Sequence, residues 1–322
     1  MVTKIINEVD PNRYDLPGRT SILRPMKIPL LFLFLTLGNF VLAQDVPDFP
    51  DMRSWMINNN DTTDRYIFAD TALVRVSTDT KQAPIDTLFA GDNITVTGIT
   101  SKSLTIRGLK GPWLKINYTK NGVPKNGYIW QGLISCMPLR RGDVKFVYGI
   151  ERRADSLHVV GKHRDTIPRF FVRLKVVQNG NILARAALIT PDEESANFSY
   201  SRVMSGMGLT NVQNIVVITF GGEACGIPLY EHYFAWTKSN QLIRFPEKES
   251  GADAGVYYHS EIFTFPNEKN GKPDTITWNL IIEEATEKED KNGNAIMKVT
   301  EKKSAVYTWD GATEKITGPV RK

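Results

Sequence analysis

Two cysteines and four histidines are the side chains of this sequence with the widest catalytic repertoire. A cysteine peptidase needs a cysteine at the start of a helix and a downstream histidine that activates it. Cys225 instead lies in a glycine-rich segment, and His232 and His259 follow it within strand patterns. Cys136 precedes Arg140, but it lacks the His-Gly pair that an L,D-transpeptidase places before its cysteine. These spacings predict no catalytic residue and a protein that is not an enzyme.

A hydrolase of the cell envelope, or an accessory of one, stays the alternative function. Its active site would lie in the C-terminal part of the chain. It requires Cys225, or a carboxylate pair such as Glu223 with Glu231, to meet a histidine in a cleft.

Metal and cofactor sites are not predicted either. The segment Asp290–Asn294 has part of the composition of a calcium loop, but the terminal glutamate is missing, so a hairpin turn is expected there. Gly221-Gly222 is not followed by the residues of a phosphate-binding loop. The sequence separations between the four histidines do not match those of known zinc sites; the histidines are His158, His163, His232 and His259.

The two cysteines are compatible with two states. In an oxidising compartment Cys136 and Cys225 could form a disulfide that closes a large loop. Nothing in the sequence brings them together, so separate thiols are favoured, and the pairing stays open.

Composition and charge indicate a globular protein that does not bind nucleic acid. Hydrophobic residues make up 41% of the chain and charged residues 23%, which excludes a disordered chain. Residues 1–43 hold five cations and three acids, so the net charge of +5 falls to +3 for the remainder. That charge is small and evenly spread, which argues against a nucleic-acid partner.

The segment Met26–Ala43 has the three regions of a secretory signal peptide. Lys27 precedes an apolar run, Gly38 and Asn39 interrupt it, and small residues stand before Gln44. The run is too short for a membrane-spanning helix, which needs about 20 residues. We therefore expect a periplasmic or secreted protein with no stable membrane anchor after cleavage. Residues 1–43 form the expected signal region, with Met26 as the expected true start.

Residues 44–65 are polar and are expected to be a flexible leader, and a period of two begins at Tyr66. Short strand patterns separated by turn signals at Gly91, Gly111 and Gly122 predict a small barrel over residues 66–136. The strand patterns cover residues 66–68, 72–76, 93–99, 104–107, 113–118 and 127–130. The expected interior consists of Val74, Val76, Leu88, Ile94, Val96, Trp113, Leu114, Ile116 and Ile129.

A boundary is expected at Met137–Asp143, and strand patterns resume over residues 145–322. Gln178–Asn181 predicts a tight hairpin, because Asn-Gly tolerates the positive φ angles of a type I′ turn. One short helix is expected at Phe198–Met204. The whole is therefore predicted to be all-β, with a small barrel followed by a larger β-rich sandwich or meander of unknown function.

Residues 66–135 resemble the bacterial SH3 family. The matching segments are Leu73-Val74-Arg75, Gly91, Gly111–Ile116 and Gly127-Tyr128-Ile129-Trp130. The family pattern usually has Asn-Val-Arg and a Gly-Pro turn in the first strand, whereas this chain has Leu73 and Val76–Asp79 there. The difference affects the turn that would face a ligand.

The resemblance implies an SH3-like barrel that recognises a cell-wall peptide or an envelope protein. Tyr128 and Trp130 share one face of their strand, so they are expected to form an exposed aromatic platform, with Tyr118 beside it. Arg75 is the fourth candidate ligand-binding residue. Ligand identity and oligomeric state stay open.

Overall fold

The computed structural model describes residues 64–190, 198–222 and 224–319. The predicted signal region lies outside these residues, as does the leader up to residue 63. Throughout the described part, every regular element is a β-strand except one 3₁₀ turn at Gln131–Leu133. The prediction of an all-β fold is confirmed. None of the described elements is a helix long and apolar enough to cross a membrane.

Six strands form the N-terminal sheet and a hairpin beside it. The sheet has the antiparallel order β1-β4-β5-β6, and β2 pairs with β3. The β1 strand begins at Asp64, two residues before the expected start of the barrel. Backbone bridges from Ile67 to Ile134 and from Arg75 to Tyr128 tie the hairpin side to the sheet. The strands are β1 (Asp64–Tyr66), β2 (Thr71–Val74), β3 (Asp86–Phe89), β4 (Asn93–Ile106), β5 (Leu109–Lys120) and β6 (Val123–Trp130).

Most of the expected interior residues do fill the core of this N-terminal part. They alternate with outward-facing residues along β4 and β5, as a half-buried strand requires. Two expectations are wrong: Val76 is exposed, and Trp113 is buried on the opposite side of β5 from Leu114. The core contains Val74, Leu88, Ile94, Val96, Leu114, Ile116 and Ile129, together with Ile67, Ala72, Tyr118 and Ile134.

A middle sheet follows, with the order β12-β11-β8-β7. The turn between β11 and β12 has positive φ at Asn179 (51°) and Gly180 (77°), which confirms the predicted hairpin. A separate hairpin, β9-β10, carries His158 and His163 on facing strands. The strands are β7 (Leu139–Arg141), β8 (Val144–Arg153), β9 (Ser156–Val160), β10 (His163–Ile167), β11 (Phe170–Gln178) and β12 (Asn181–Ile189).

The C-terminal sheet has the order β13-β14-β15-β17-β18-β19-β20-β21, and β16 also pairs with β15. The helix expected at Phe198–Met204 is wrong: these residues belong to β13, which pairs with β14 from Phe198 to Ser205. The strands are β13 (Phe198–Ser205), β14 (Val212–Gly221), β15 (Leu229–Thr237), β16 (Leu242–Arg244), β17 (Lys248–Asp253), β18 (Tyr257–Thr264), β19 (Thr275–Glu289), β20 (Ala295–Asp310) and β21 (Lys315–Thr317).

Strands β14 and β15 are buried on both faces, which explains their nearly continuous apolar runs. One face packs on the middle sheet through Val216, Phe220, Phe234 and Trp236. The other face packs on β18, β19 and β20, because the C-terminal sheet curls over itself around a second core. That core includes Ile215, Val217, Tyr233, Phe263, Ile276, Trp278, Tyr307 and Trp309.

Both cysteines are free thiols. Cys136 is buried and Cys225 is exposed in a turn, so the favoured prediction of separate thiols is confirmed. The expected hairpin at Asp290–Asn294 is also confirmed: Oδ1 of Asp290 accepts hydrogen bonds from the backbone N–H groups of Asn292 and Asn294.

Candidate functional site: the Trp130 cleft

Trp130 does not lie on an exposed platform. Its exposed fraction is 4%, and its ring packs in one core with Trp113, Phe146 and Trp236. The indole Nε1 donates a hydrogen bond of 3.1 Å to the carbonyl oxygen of Gly111. The expectation of an exposed indole is therefore wrong, because side chains of the middle and C-terminal sheets cover this face of β6.

The structure brings Tyr128 and Arg75 together through the backbone. The N–H of Arg75 donates to the Tyr128 carbonyl at 3.0 Å, and the N–H of Tyr128 donates to the Arg75 carbonyl at 2.8 Å. Tyr128 is half-buried against the same core as Trp130. The Arg75 guanidinium donates to the carbonyl oxygen of Gln82. Arg75 therefore holds the loop after β2, and its role in ligand binding stays a prediction.

Tyr118 lies elsewhere and points into the N-terminal core. It is 5% exposed, so its expected place beside an exposed platform is wrong. Its hydroxyl donates a hydrogen bond of 2.8 Å to Oδ2 of Asp86. Burial, and then the Asp86 carboxylate, raises the pKa of this phenol.

Trp130 nevertheless reaches a cleft between the N-terminal sheet and the middle sheet. We call it the Trp130 cleft; its volume is about 520 Å³. It is lined by the loop that follows β1, by the ends of β4 and β6, and by polar residues of β8, β11 and β12. These residues are Phe68, Ala69, Asp70, Thr71, Ile106, Arg107, Trp130, Gly132, Leu133, Ile150, Glu151, Arg173, Lys175 and Arg185.

Lys175 is a buried cation in the wall of this cleft. Its side chain is 7% exposed, and Nζ donates to the carbonyl oxygen of Phe68 at 2.5 Å and to Oδ1 of Asp70 at 2.7 Å. The ammonium also lies 4.5 Å from the centre of the Phe68 ring. Burial lowers the pKa of Lys175, and the bond to Asp70 opposes that shift. The bond from Lys175 lowers the pKa of Asp70.

Both acidic residues of the cleft are already paired. Oδ2 of Asp70 accepts from Nη2 of Arg185 at 3.1 Å, so this carboxylate joins two cations. Oε2 of Glu151 accepts from Nη2 of Arg173 at 2.8 Å. Arg107 is exposed at the β4–β5 turn, and its guanidinium forms no ion pair or hydrogen bond with any described residue. Four basic residues against two acidic ones leave the cleft positive.

Two glycines allow the aromatic rings to approach the backbone in this cleft. A Cβ atom at Gly149 would lie 2.7 Å from Cγ of Phe68. A Cβ atom at Gly132 would lie 2.1 Å from Cζ3 of Trp130. Both distances are too short for real contacts, so the rings occupy space that only glycine leaves free.

Among the described residues, no hydrogen bond or ion pair joins Cys225 or Glu231 to a histidine; His232 lies near Glu247 and His259 near Glu261. Cys225 is exposed in its turn, whereas His232 is 1% exposed and faces Phe220 in the sheet interior. Glu231 accepts from Arg202 at 2.7 Å and from Lys248 at 2.5 Å, so its carboxylate is neutralised. Its predicted partner Glu223 lies outside the described residues.

Comparison with known proteins returned no assignment. No family model, no curated protein and no solved structure matches the chain. The resemblance to the bacterial SH3 family therefore stays a prediction.

The charged residues of the Trp130 cleft were not predicted from the sequence. Arg173, Lys175 and Arg185 lie on strands outside the N-terminal part, and each lies on the face of its strand opposite to the apolar residues that enter the core. Lys175 does leave a local signal, because it interrupts a run of apolar residues in β11. The described residues contain no group of three or more His, Cys, Asp or Glu side chains placed to hold a metal ion.

Proposed function

We propose that this chain is an exported binding protein that holds a carboxylate-bearing peptide of the cell wall in the Trp130 cleft. In this proposal the N-terminal sheet is an SH3-like module, and the middle sheet supplies the cationic wall. The chain acts by recognition and carries out no reaction.

The observation that carries the proposal is the excess of positive charge in a cleft that also contains aliphatic surface. Arg173 pairs with Glu151, and Lys175 and Arg185 share the single carboxylate of Asp70, so the uncompensated positive charge belongs to Arg107 and to the partly neutralised Arg185. A guanidinium binds a carboxylate with two parallel hydrogen bonds, which gives both affinity and orientation.

The size and lining of the cleft favour a short peptide. Its volume of about 520 Å³ falls within the range of roughly 300–1,000 Å³ of small-ligand sites. Ile106 and Leu133 provide apolar contact for side-chain methyl groups, while the basic residues surround them. Peptides of the bacterial cell wall combine small apolar side chains with several carboxylates, which matches this lining.

The expected secretory signal at Met26–Ala43 supports a ligand outside the cytoplasm. An envelope protein with an acidic segment is the other partner that the resemblance implies. Such a protein would have to insert a narrow acidic loop, because the cationic residues lie within a cleft.

Titration calorimetry with a cell-wall tetrapeptide (alanyl, glutamyl, diaminopimelyl and alanyl residues) tests the proposal. The double variant Arg107→Gln/Arg185→Gln should bind at least roughly tenfold more weakly, because it removes two charge-assisted contacts. Arg141→Gln/Arg164→Gln is the matched control, since both arginines are exposed on β7 and β10 outside the cleft. Equal binding by the cleft variant, or no binding by the wild type, would reject the cleft as the peptide site.

A further inference from the structure

We propose that the outer face of the N-terminal sheet is a second binding site, and that its ligand is an oligosaccharide. This face forms a concavity of about 960 Å³, separate from the Trp130 cleft. The two lining sets share no residue. Its lining includes Asp64, Thr95, Asn117, Asn126, Arg140 and Lys145.

The floor of this concavity, which we call the polar floor, consists of two rows of side chains across four strands. The strand register places Asp64 opposite Thr95, Thr95 opposite Asn117, and Asn117 opposite Asn126. The next row runs through Asn93, Thr119 and Pro124, and it ends at Tyr66, which is buried against Val147 and Val177 of the middle sheet. These positions alternate with the buried residues Ile94, Ile116 and Tyr118, so the rows face away from the core.

Asparagine is unusual at these positions. It is depleted from β-strands, because its short amide competes for backbone hydrogen bonds and packs poorly on a pleated surface. Three asparagines nevertheless stand on this one face, at Asn93, Asn117 and Asn126. A ligand that forms hydrogen bonds with the side-chain amides would explain why asparagines, and not β-branched residues, stand at these positions.

Asn117 and Asn126 are also available to a ligand. Both are exposed, they lie directly opposite each other, and their side chains form no hydrogen bond with any part of the chain that the structure describes. Each amide offers donors and an acceptor side by side. A sugar hydroxyl both donates and accepts, so a pair of adjacent hydroxyls matches a pair of adjacent amides.

One wall of the concavity is built by residues around β7 and β8. Nζ of Lys145 donates to Oδ1 of Asn93 at 2.8 Å and lies 4.7 Å from the centre of the Tyr66 ring. Pro124 and Pro138 add apolar surface at two margins. The combination of an amide-rich floor and small apolar margins suits a pyranose, whose hydroxyls are polar and whose C–H faces are apolar.

The charges of the concavity favour an acidic saccharide over a neutral one. Arg65, Lys125, Arg140 and Lys145 stand against three carboxylates, which are Asp64, Asp92 and the Asp86 carboxylate that pairs with Lys125 at 2.8 Å, so one positive charge remains in excess. Single-stranded nucleic acid fits less well, because it is bound by aromatic rings on which bases stack. Tyr66 and Tyr118 are only 7% and 5% exposed and offer no such ring face.

Nuclear magnetic resonance titration of the full chain tests this site with two probes, tetra-N-acetylchitotetraose and tetragalacturonate. The side-chain amide signals of Asn117 and Asn126 are assigned by their loss in Asn117→Ala and Asn126→Ala. We expect saturable shifts of these signals with tetragalacturonate, and weaker binding of the neutral tetramer. The double variant should bind roughly tenfold or more weakly.

Two controls separate this site from a general surface effect and from the Trp130 cleft. Asn279→Ala removes a strand asparagine of β19 that lies outside the concavity, and it should bind as the wild type does. The cleft variant Arg107→Gln/Arg185→Gln should also retain saccharide binding. If neither tetramer shifts the two amide signals at millimolar concentration, or if the double variant binds as the wild type does, the proposal is overturned.

Discussion

Trp113 of β5 lies directly opposite Trp130 of β6, and both indoles are buried against side chains of the middle and C-terminal sheets. The aromatic face of the N-terminal sheet is therefore an internal contact surface. Aromatic side chains carry large apolar areas, so burying two tryptophans contributes substantially to holding these sheets together. The proposed ligand would contact the residues at the margin of this surface, where the Trp130 cleft opens.

Gly149 should be intolerant of a side chain. In Gly149→Ala the new Cβ would lie 2.7 Å from the ring of Phe68. The backbone of Phe68 is held in place, because its N–H donates a hydrogen bond to the carbonyl oxygen of Leu133. We expect a loss of about 1–3 kcal/mol in the free energy of unfolding, measured by denaturant titration. Gly98→Ala is the control, because its Cβ would lie 3.6 Å from Lys115. Equal stability of the two variants would contradict the packing described for Phe68.

Lys175→Met should destabilise the protein by about 1–3 kcal/mol, because it leaves the carbonyl of Phe68 without its donor. Lys115→Met, at an exposed position of β5, is the matched control.

The destabilisation by Lys175→Met should also depend on pH. Lys175 lowers the pKa of Asp70 in the folded state below its ordinary value of 3.8. The bond therefore stabilises the fold above that value, and its contribution is lost as the pH falls through the folded-state pKa. The difference between wild type and variant should shrink in acid; a constant difference from pH 6 to about pH 3 would argue against the Asp70 bond.

His232 should make the wild-type protein sensitive to mild acid. Burial, and then the Arg244 guanidinium, lowers its pKa to about 3. Its Nδ1 lies 3.2 Å from Oε1 of Glu247, yet neither ring nitrogen has a partner in hydrogen-bond geometry. Because the unfolded histidine binds a proton near pH 6.5 and the folded one does not, stability falls as the pH drops from about 6.5 toward 3.

The expected slope is about 1.4 kcal/mol per pH unit within that window. The contribution of His232 to this slope should be absent from His232→Leu. It should be retained in His158→Leu, which changes an exposed histidine of β9. Denaturant unfolding at several pH values measures it. Parallel pH profiles for wild type and His232→Leu would show that His232 does not titrate in this way.

The two thiols should react at very different rates. Cys225 is exposed, whereas Cys136 is buried and burial raises its pKa. We expect one rapid equivalent with a thiol reagent and a second one only after unfolding, because the thiolate is the reactive form. Cys225→Ser should abolish the rapid reaction. A rapid reaction that persists in this variant would place Cys136 at the surface.

Local patterns were enough to predict the all-β class and the Asn179-Gly180 hairpin. Alternation also identified most of the N-terminal core, because residues such as Leu114 and Ile116 face inward at a period of two. The segment Phe198–Met204 was wrongly assigned to a helix, although its serines alternate with larger residues. Its strand state depends on pairing with β14, which is a long-range partner.

The candidate site was harder to predict, for a physical reason. Alternation places Trp130 on the face of β6 opposite to Ile129, but the sequence does not show that another sheet covers that face, so the indole was wrongly expected to be exposed. Lys175 and Asp70 are separated by 105 positions in the chain, so their contact depends on the packing of the sheets. Lys175 interrupts an apolar run, but no local pattern in the sequence links it to Asp70.

Co-sedimentation of the protein with purified peptidoglycan, together with an assay for released wall fragments, tests the central claim most directly. We predict that the wild type and Arg141→Gln/Arg164→Gln sediment with the wall, that Arg107→Gln/Arg185→Gln stays in solution, and that no fragments are released. Equal sedimentation of both double variants, or no sedimentation of the wild type, would contradict recognition through the Trp130 cleft. Release of fragments would contradict the claim that the protein acts by binding alone.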